Sequence, residues 1–360
     1  MLINEKDLTL DEKIGQMVMI GMDTTNAKEK VTELILKYKI GGVLLYRKNY
    51  NNYKELLEFI NHIKSVNKKN KIPLFIAIDQ EGGRVNRMPN EFENLPSAYQ
   101  LAKKENIKII EEAGCITGKM LKNIGINIDF APVLDIKRFG ENHAIGDRAF
   151  SEDKECVAKY GGTFMKELQK QKIISVVKHF PGHGATKQDS HINIPTIKMD
   201  ISNLEKEDML PFEYVIKNGA EALLISHLKI KNFAEKGPIT MSKKFILKYI
   251  RKRYNFDGLI ITDDMRMRSM VLTYGVNQPI RKAFKAGNDI IVFKYRPNEK
   301  IFGQIKTNIN KGDIDISQIN ESVNRIIKIK QKYQLNNEEV KINKEFIKEV
   351  NSRILQLKNL

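Results

Sequence analysis

The chain has 360 residues, 41% of them hydrophobic and 29% charged, which is the composition of a globular protein and excludes disordered and fibrous classes. No apolar run approaches the ~18 residues of a membrane-spanning helix, and the first residues, MLINEKDLTLDEKIGQ, contain no apolar signal-peptide core. We therefore expect no membrane span and a cytoplasmic location, unless a leader has been removed. Two cysteines, Cys115 and Cys156, are too few for a disulfide framework.

The formal net charge of +17 is compatible with nucleic acid, an anionic membrane surface or an acidic substrate as a partner. The basic residues are scattered through the predicted helices and loops. Neither the aromatic platform of a single-strand binder nor zinc-finger spacing accompanies them. We interpret the charge as a background composition bias and expect a small-molecule partner, no nucleic acid and a monomer.

Taken in chain order, short β-branched runs bounded by Gly, Asp, Asn or Pro alternate with amphipathic helical stretches. Eight runs are predicted to be strands: residues 16–21, 42–46, 74–79, 127–132, 174–180, 222–227, 258–263 and 289–294. This alternation favours parallel strands joined by helical crossovers, and eight units fit a closed barrel better than an open sheet. The sequence therefore predicts an α/β fold, a single-domain (β/α)8 TIM-type barrel over residues 1–335. Residues 336–360 are predicted to form a C-terminal helical extension that packs on the barrel.

Polar side chains cluster where the predicted strands end, which is where barrels of this type build their active sites. The candidates that follow the third to seventh strands are, in order, Asp79 with Glu81, Arg84 and Arg87; Asp135 with His143, Asp147 and Arg148; Lys178 with His179, His183, Asp189 and His191; Ser226 with His227; and Asp263 with Asp264. Five of the six histidines belong to this set, which packing alone does not readily explain. We predict an enzyme site on this face of the barrel.

The chemistry of these groups favours a hydroxyl-rich substrate, because carboxylates and cations converge without a Ser or Cys nucleophile motif. A glycosidase needs a carboxylate nucleophile and a proton donor near the leaving oxygen. Asp263 ends an apolar strand and can be held rigidly as the nucleophile. Asp189 and His191 are two residues apart, so the carboxylate can orient the imidazole and raise its basicity. A histidine titrates near neutrality, which suits a group that acts alternately as acid and base.

Three segments, KHFPGHGATKQDSH, IDQEGGRVNR and FDGLIITDDM, together resemble the family 3 glycoside hydrolases. More narrowly, they resemble the bacterial β-N-acetylglucosaminidases that act on peptidoglycan fragments. LTLDEKIGQMVMIG and GGVLLYRKN are similar to the opening strands of that family, and the resemblance covers about residues 8–330. The DSH segment, and a chain that ends at residue 360, favour this branch over the two-domain β-glucosidases of the family.

The resemblance implies that Asp263 is the nucleophile of a retaining mechanism, with His191 as the acid/base and Asp189 as its partner. It implies no cofactor and no metal. The residues that it assigns to binding N-acetylglucosamine are Asp79, Arg87, Arg148, Lys178 and His179. His227 matches a strand-end histidine of the family, and we count it with the substrate-binding set in a supporting role.

The substrate implied by the resemblance is a small glycan with a non-reducing terminal N-acetylglucosamine. In peptidoglycan fragments this sugar is linked β-1,4 to anhydro- or ordinary N-acetylmuramic acid, with or without peptide; a chitobiose-like glycan presents the same terminal sugar. The acetamido group is expected to be recognised and not to act as the nucleophile. The positive charge of the protein is expected to assist encounter with anionic muropeptides.

Other interpretations of the same residues stay open at this point. Asp263 or Asp264 could cap the following helix, and His183 could brace its loop. A metal-dependent amidohydrolase-like barrel could use Lys178, His179, His227 and Asp263 as ligands, although no early His-x-His pair accompanies them. A non-catalytic cell-wall or nucleic-acid binding protein could use the basic surface. Met265, Met267 and Met270 have helical spacing and are predicted to be core residues.

Overall fold

The computed structural model of the protein describes residues 3–24, 26–139, 144–185, 194–231, 233, 237–296 and 300–360. The described residues form ten strands: β1 (Val18–Gly21), β2 (Gly42–Leu44), β3 (Phe75–Ile78), β4 (Ile128–Asp129), β5 (Ile174–Phe180), β6 (Thr196–Ile197), β7 (Ala222–Ile225), β8 (Lys229–Ile230), β9 (Leu259–Thr262) and β10 (Ile291–Lys294). Each of the eight predicted runs contains one of these strands. The two-residue strands β6 and β8 are additional.

Eight strands form one parallel sheet in the order β10-β1-β2-β3-β4-β5-β7-β9. A parallel bridge between Ile261 and Ile290 joins the two ends of this order, and the Thr262 amide donates a 3.0 Å hydrogen bond to the Ile290 carbonyl. The sheet therefore closes on itself. The predicted (β/α)8 barrel is confirmed. In addition, β6 pairs with β8 in a separate parallel pair.

The described helices surround the sheet: α1 (Leu10–Gln16), α2 (Ala27–Tyr38), α3 (Tyr53–Asn67), α4 (Ala98–Ala102), α5 (Ile107–Asn123), α6 (Lys154–Lys170), α7 (Ile201–Lys206), α8 (Leu210–Lys217), α9 (Arg268–Tyr274), α10 (Gln278–Ala286), α11 (Ile301–Asn310), α12 (Ile316–Lys332) and α13 (Lys344–Asn359). A π-helix spans Lys244–Arg253. Side-chain hydrogen bonds to backbone amides explain where several of these helices begin. Thr9 and Glu12 form a capping box at α1, and the Asp153 carboxylate accepts a 2.8 Å hydrogen bond from the Cys156 amide at α6.

The core follows from the composition of the strands. Every residue of β1, β2, β3, β7 and β9 is buried, because a strand of a closed parallel sheet faces side chains on the inside and helices on the outside. Such strands are necessarily almost all apolar. Polar residues can therefore be placed only where a strand ends, and these positions determine the chemistry of the barrel mouth.

The C-terminal helix α13 packs against α5. It buries Ile347, Val350, Ile354 and Leu357 on one face. Arg353 on the same helix lies 2.7 Å from Glu112 of α5, which adds an ion pair at the edge of the apolar contact. The extension expected from the sequence thus begins, as a helix, at Lys344. No helix among the described residues is both long and apolar enough to cross a membrane.

Candidate active site

The centre of the barrel mouth holds a buried lysine between two carboxylates. Lys178 lies on β5, and its ammonium nitrogen is 2.8 Å from Asp79 Oδ1 and 2.6 Å from Glu81 Oε1. Asp79 directly follows β3. Burial lowers the pKa of Lys178, but Asp79 and Glu81 outweigh burial and raise it above its usual value. Lys178 is therefore a fixed cation at neutral pH.

Arg148 brings a second cation to the same carboxylate. Its Nε lies 2.7 Å from Glu81 Oε2 and its Nη2 lies 2.8 Å from Glu81 Oε1, a two-point contact that fixes the planes of both groups. Burial would raise the pKa of Glu81, yet Arg148 and Lys178 together hold it well below its usual range. Glu81 therefore stays ionised and fixes both cations.

His179 is oriented by a buried aspartate. Asp135 Oδ2 lies 2.6 Å from His179 Nδ1, and Asp135 Oδ1 accepts a 2.5 Å hydrogen bond from the His183 amide. Burial raises the pKa of Asp135, and the neighbouring His179 and His183 lower it further than burial raises it. An ionised Asp135 keeps the proton on Nδ1, so Nε2 points the other way and lies 3.5 Å from Arg148 Nη2.

A fourth carboxyl group, Asp129, lies next to this network at the end of β4. Its side chain has no exposed surface. Its Oδ1 accepts a 2.9 Å hydrogen bond from the amide of Gln80, the residue after Asp79, and its Oδ2 has no hydrogen-bond partner among the described residues. Burial raises the pKa of Asp129 well above its usual value, and the nearby Asp79 and Glu81 also raise it. The uncharged form of this carboxyl group is therefore favoured more strongly than it would be in water.

Arg87 lies in the loop that follows β3. The Arg87 amide donates a 2.8 Å hydrogen bond to Gln80 Oε1, and the Arg87 carbonyl accepts a 2.8 Å bond from the Tyr50 hydroxyl. Its buried Nε has no partner in the part of the chain that the structure describes. The loop turns at Gly82 and Gly83, which have φ angles of +83° and +54°, as the sequence predicts for a tight turn.

Asp263 follows β9, and its Oδ1 accepts a 2.7 Å hydrogen bond from the amide of Asp264. Asp264 Oδ1 in turn accepts from the amides of Arg266 and Lys294, at 2.9 and 3.2 Å, and so ties this segment to β10. The following helix α9 begins after Met267, which has no side-chain cap. The alternative that Asp263 or Asp264 caps this helix is therefore wrong.

Four further residues of the same region are buried. Met265, Met267 and Met270 belong to the core, as expected. His227 has no exposed surface; its Nδ1 lies 3.0 Å from Thr240 Oγ1 and its Nε2 lies 3.0 Å from the Asp264 carbonyl oxygen. With both nitrogens held by protein, His227 has none left for a sugar or a metal. This geometry suits the supporting role expected for His227, which acts through the segment that carries Asp263.

The predicted acid/base pair, Asp189 and His191, lies outside the described residues, as does His143. The chain on either side is described: a 3-10 turn at His183–Ala185 before, and β6 after. The described residues contain no group of three or more His, Cys, Asp or Glu side chains placed to hold a metal ion.

The barrel with cations and carboxylates converging on one face defines a class of hydrolytic barrel enzyme. The sequence model described as "Glycosyl hydrolase family 3 N terminal domain" matches residues 9–329, and the chain therefore belongs to glycoside hydrolase family 3. This confirms the resemblance found in the sequence.

Individual relatives agree with this assignment. A β-hexosaminidase of Hydrogenovibrio crunogenus is 30% identical over 281 residues, which cover 76% of this chain and 77% of that protein. A β-hexosaminidase of Neisseria meningitidis serogroup C is 32% identical over 289 residues, 78% of this chain and 79% of that protein. The solved structure of a family 3 β-N-acetylglucosaminidase from Paenibacillus sp. is 30% identical, with a TM-score of 0.89 over 97% of this chain and 69% of that one.

Sequence reasoning gave no role to two residues that organise the site. Glu81 and Asp135 both follow predicted strands, which is a signal that they share with many loop residues. Their importance depends on contacts across 67 and 44 positions of the chain, to Arg148 and His179. From sequence, these two residues could have been recognised only by assuming that each cation at a strand end pairs with a carboxylate at another strand end.

Proposed function

We propose that this protein is a retaining β-N-acetylglucosaminidase. Its substrates would carry a non-reducing terminal N-acetylglucosamine, β-1,4-linked to anhydro- or ordinary N-acetylmuramic acid in peptidoglycan fragments, with or without peptide. The observation that carries this proposal is the buried, charge-balanced cluster of Asp79, Lys178, Glu81 and Arg148 beside the Asp263 segment. The names of the relatives, β-hexosaminidase and β-N-acetylglucosaminidase, support it.

The cluster suits a neutral, hydroxyl-rich ring. Asp79 and His179 Nε2 would accept hydrogen bonds from ring hydroxyls, while Lys178, Arg148 and Arg87 would donate to ring oxygens. The charges of Lys178 and Arg148 are already paired with those of Asp79 and Glu81, so a neutral sugar can enter without leaving either buried cation unpaired. Preorganised groups of this kind bind sugar at little cost in reorganisation.

The chemistry would proceed in two steps. In the first, Asp263 attacks C1 and forms a covalent glycosyl ester, while His191, partnered by Asp189, gives its proton to the departing oxygen. In the second, His191 takes a proton from water, which attacks C1 and releases the sugar from Asp263 with its anomeric configuration retained. The hydrogen bond from the Asp264 amide would hold the Asp263 carboxylate in the orientation needed for the attack.

The first experiment measures nitrophenol release from 4-nitrophenyl β-N-acetylglucosaminide, beside the corresponding β-glucoside and with EDTA. We expect turnover of the acetamido sugar only, unaffected by chelation. Asp263→Ala should lower kcat by at least about 10³-fold while the far-ultraviolet circular dichroism spectrum stays unchanged. Turnover lost on chelation would favour a metal hydrolase. Folded protein that acts on neither sugar would contradict the proposal and restore the binding-protein interpretation.

A second experiment tests the acid/base pair by leaving-group dependence. His191→Ala should slow hydrolysis of a natural disaccharide much more than that of the nitrophenyl glycoside, because nitrophenolate departs without protonation. Asp189→Asn should give the same pattern in weaker form. Equal losses on both substrates would contradict the assignment of His191 as the acid.

A further inference from the structure

We propose that the hydroxyl of Tyr46 donates a hydrogen bond to the sugar bound between Asp79 and Asp263, as an additional specificity residue of the donor pocket. The inference rests on the proposed function, since it assigns a further contact with the same sugar. Tyr46 lies two residues beyond the end of β2, outside the set of strand-end charges discussed above.

The strand register places Tyr46 at the mouth of the barrel. Leu44, the last residue of β2, is opposite Gly21 of β1 on one side and Ala77 of β3 on the other. The backbone of Tyr46 is still extended, with φ of −119° and ψ of 152°. Two residues farther along the same register, Tyr46 is therefore next to Asp79, at the same height on the adjacent strand.

The ring of Tyr46 lies over the backbone of β1. A β-carbon added at Gly21 would be 2.7 Å from the Tyr46 hydroxyl oxygen and 3.0 Å from the ring atom Cε2. The phenol occupies the space that a side chain at position 21 would fill. The hydroxyl therefore lies over the adjacent strand β1 at the barrel mouth, and the side chain is only half-buried.

The surroundings of the hydroxyl are rich in hydrogen-bond acceptors. Burial raises the pKa of Tyr46 well above its usual value, and the charges of Asp264, Asp79, Asp23 and Asp263 raise it further. The hydroxyl therefore keeps its proton at any pH at which the enzyme would be assayed. No group in the described part of the chain accepts a hydrogen bond from it.

A sugar in the pocket supplies the acceptor that the protein does not. In the proposed function, Asp79 binds ring hydroxyls and Asp263 attacks C1, so the ring must extend from one to the other. Tyr46 follows the strand register next to Asp79, and the charges of both carboxylates act on its hydroxyl. An oxygen of the ring or of its substituents can accept the phenol proton there, while ring hydroxyls donate to the carboxylates.

The test removes only the hydroxyl. Tyr46→Phe should lower kcat/KM for 4-nitrophenyl β-N-acetylglucosaminide by about 3- to 10-fold, the effect of losing one neutral hydrogen bond. The affinity for free N-acetylglucosamine, measured by calorimetric titration, should fall by a similar factor. The thermal unfolding midpoint should be unchanged, because the ring and its contact with Gly21 remain. Tyr38→Phe is the control: Tyr38 stacks on Phe302 at a centroid distance of 4.2 Å, on helices outside the barrel, and should change none of these quantities.

The possible results separate this inference from the function on which it rests. If the wild-type enzyme turns over the substrate and Tyr46→Phe stays within twofold in both kcat/KM and sugar affinity, the role of Tyr46 is wrong and the proposed function stands. If the wild-type protein neither turns over the substrate nor binds N-acetylglucosamine, both are wrong. If it binds without turnover, the affinity of Tyr46→Phe alone decides the role of Tyr46.

Discussion

The ammonium nitrogen of Lys178 lies 2.6 Å from a carboxylate oxygen of Glu81, and only 3% and 5% of the two side chains are exposed. Glu81 also receives both contacts of the Arg148 guanidinium. One carboxylate therefore contacts two cations, while Asp79, the second anion of the cluster, keeps more of its surface exposed, 20% of the side chain. Because of this difference in contacts and exposure, Asp79 is available to a substrate and Glu81 is the internal counterion.

Glu81→Gln should destabilise the protein, because it leaves Lys178 and Arg148 with one carboxylate instead of two. We expect a loss of about 3 kcal/mol in the free energy of unfolding at pH 7, the usual cost of breaking a buried ion pair. The exposed Glu345 in α13 offers a matched control, Glu345→Gln, which should change this free energy by less than about 0.5 kcal/mol. Urea unfolding measures both.

The same variant has a defined pH dependence. The pKa of Glu81 is lower in the folded protein than its ordinary value of about 4.3, so its stabilising contribution is complete above that pH and is lost as the pH falls below it. The stability difference between wild type and Glu81→Gln should therefore shrink between pH 5 and the acid limit of folding. A difference that stays constant or grows on acidification would contradict the ion-pair role of Glu81.

Asp135→Asn should reduce activity through His179. An amide presents only one accepting oxygen, so it cannot hold both His179 Nδ1 and the His183 amide as the carboxylate does. We expect kcat/KM to fall by about 10- to 100-fold, the value of a hydrogen bond to a charged group, mostly through KM. Steady-state kinetics on the nitrophenyl substrate measure this. A fall confined to kcat would show that Asp135 acts on the chemical step instead of on sugar binding.

Asp129→Asn should be tolerated, since the amide copies a protonated carboxyl and keeps the bond from the Gln80 amide. The folded pKa of Asp129 is raised, so the wild-type side chain loses stability as the pH rises above about 3.9, its ordinary value, whereas asparagine does not titrate. Asp129→Asn should therefore gain stability relative to wild type from pH 5 to pH 9.

Two further variants make that comparison decisive. Asp129→Leu removes the acceptor and should raise KM, because the Gln80 amide beside Asp79 is left unpaired. Asp313→Asn, at an exposed turn, should give a stability difference that does not change over this pH range. An Asp129→Asn protein that becomes less stable than wild type as the pH rises would show that Asp129 is a buried anion.

The barrel could be predicted from sequence because its strands are short, apolar and separated by amphipathic helices. The predicted ends of two strands were inaccurate. The run 16–21 was predicted as strand throughout, but Gln16 ends α1 and β1 begins at Val18. Similarly, 127–132 shortened to Ile128–Asp129, because the Asn127 side chain bonds to the backbone of Leu74 and Ile76, and Pro132 has no amide to pair.

The site was predictable in part for a related reason. Strand ends indicate which residues face the mouth, and on this basis the sequence predicts Asp79, Lys178 and Asp263 as site residues. Which of these residues form hydrogen bonds or ion pairs with one another depends on distances between strands that are far apart in sequence. The raised pKa of Asp129 follows from its burial, and the position of the Tyr46 ring follows from the missing side chain at Gly21; local sequence encodes neither.

The segment 186–193, which contains Asp189 and His191, connects two fixed points of the barrel. Before it, the His183 amide is bound to Asp135, and after it, β6 pairs with β8. The groups proposed to bind the sugar, and the proposed nucleophile, are anchored on other parts of the frame. In the proposed function the acid/base pair belongs to this segment, whereas the sugar-binding groups and the nucleophile belong to other parts of the barrel. Replacing residues 186–193 between the same two anchor points should therefore alter how the leaving group departs while the same sugar is still bound and attacked. The same barrel could then release a different class of leaving group after a change in one short segment of the chain.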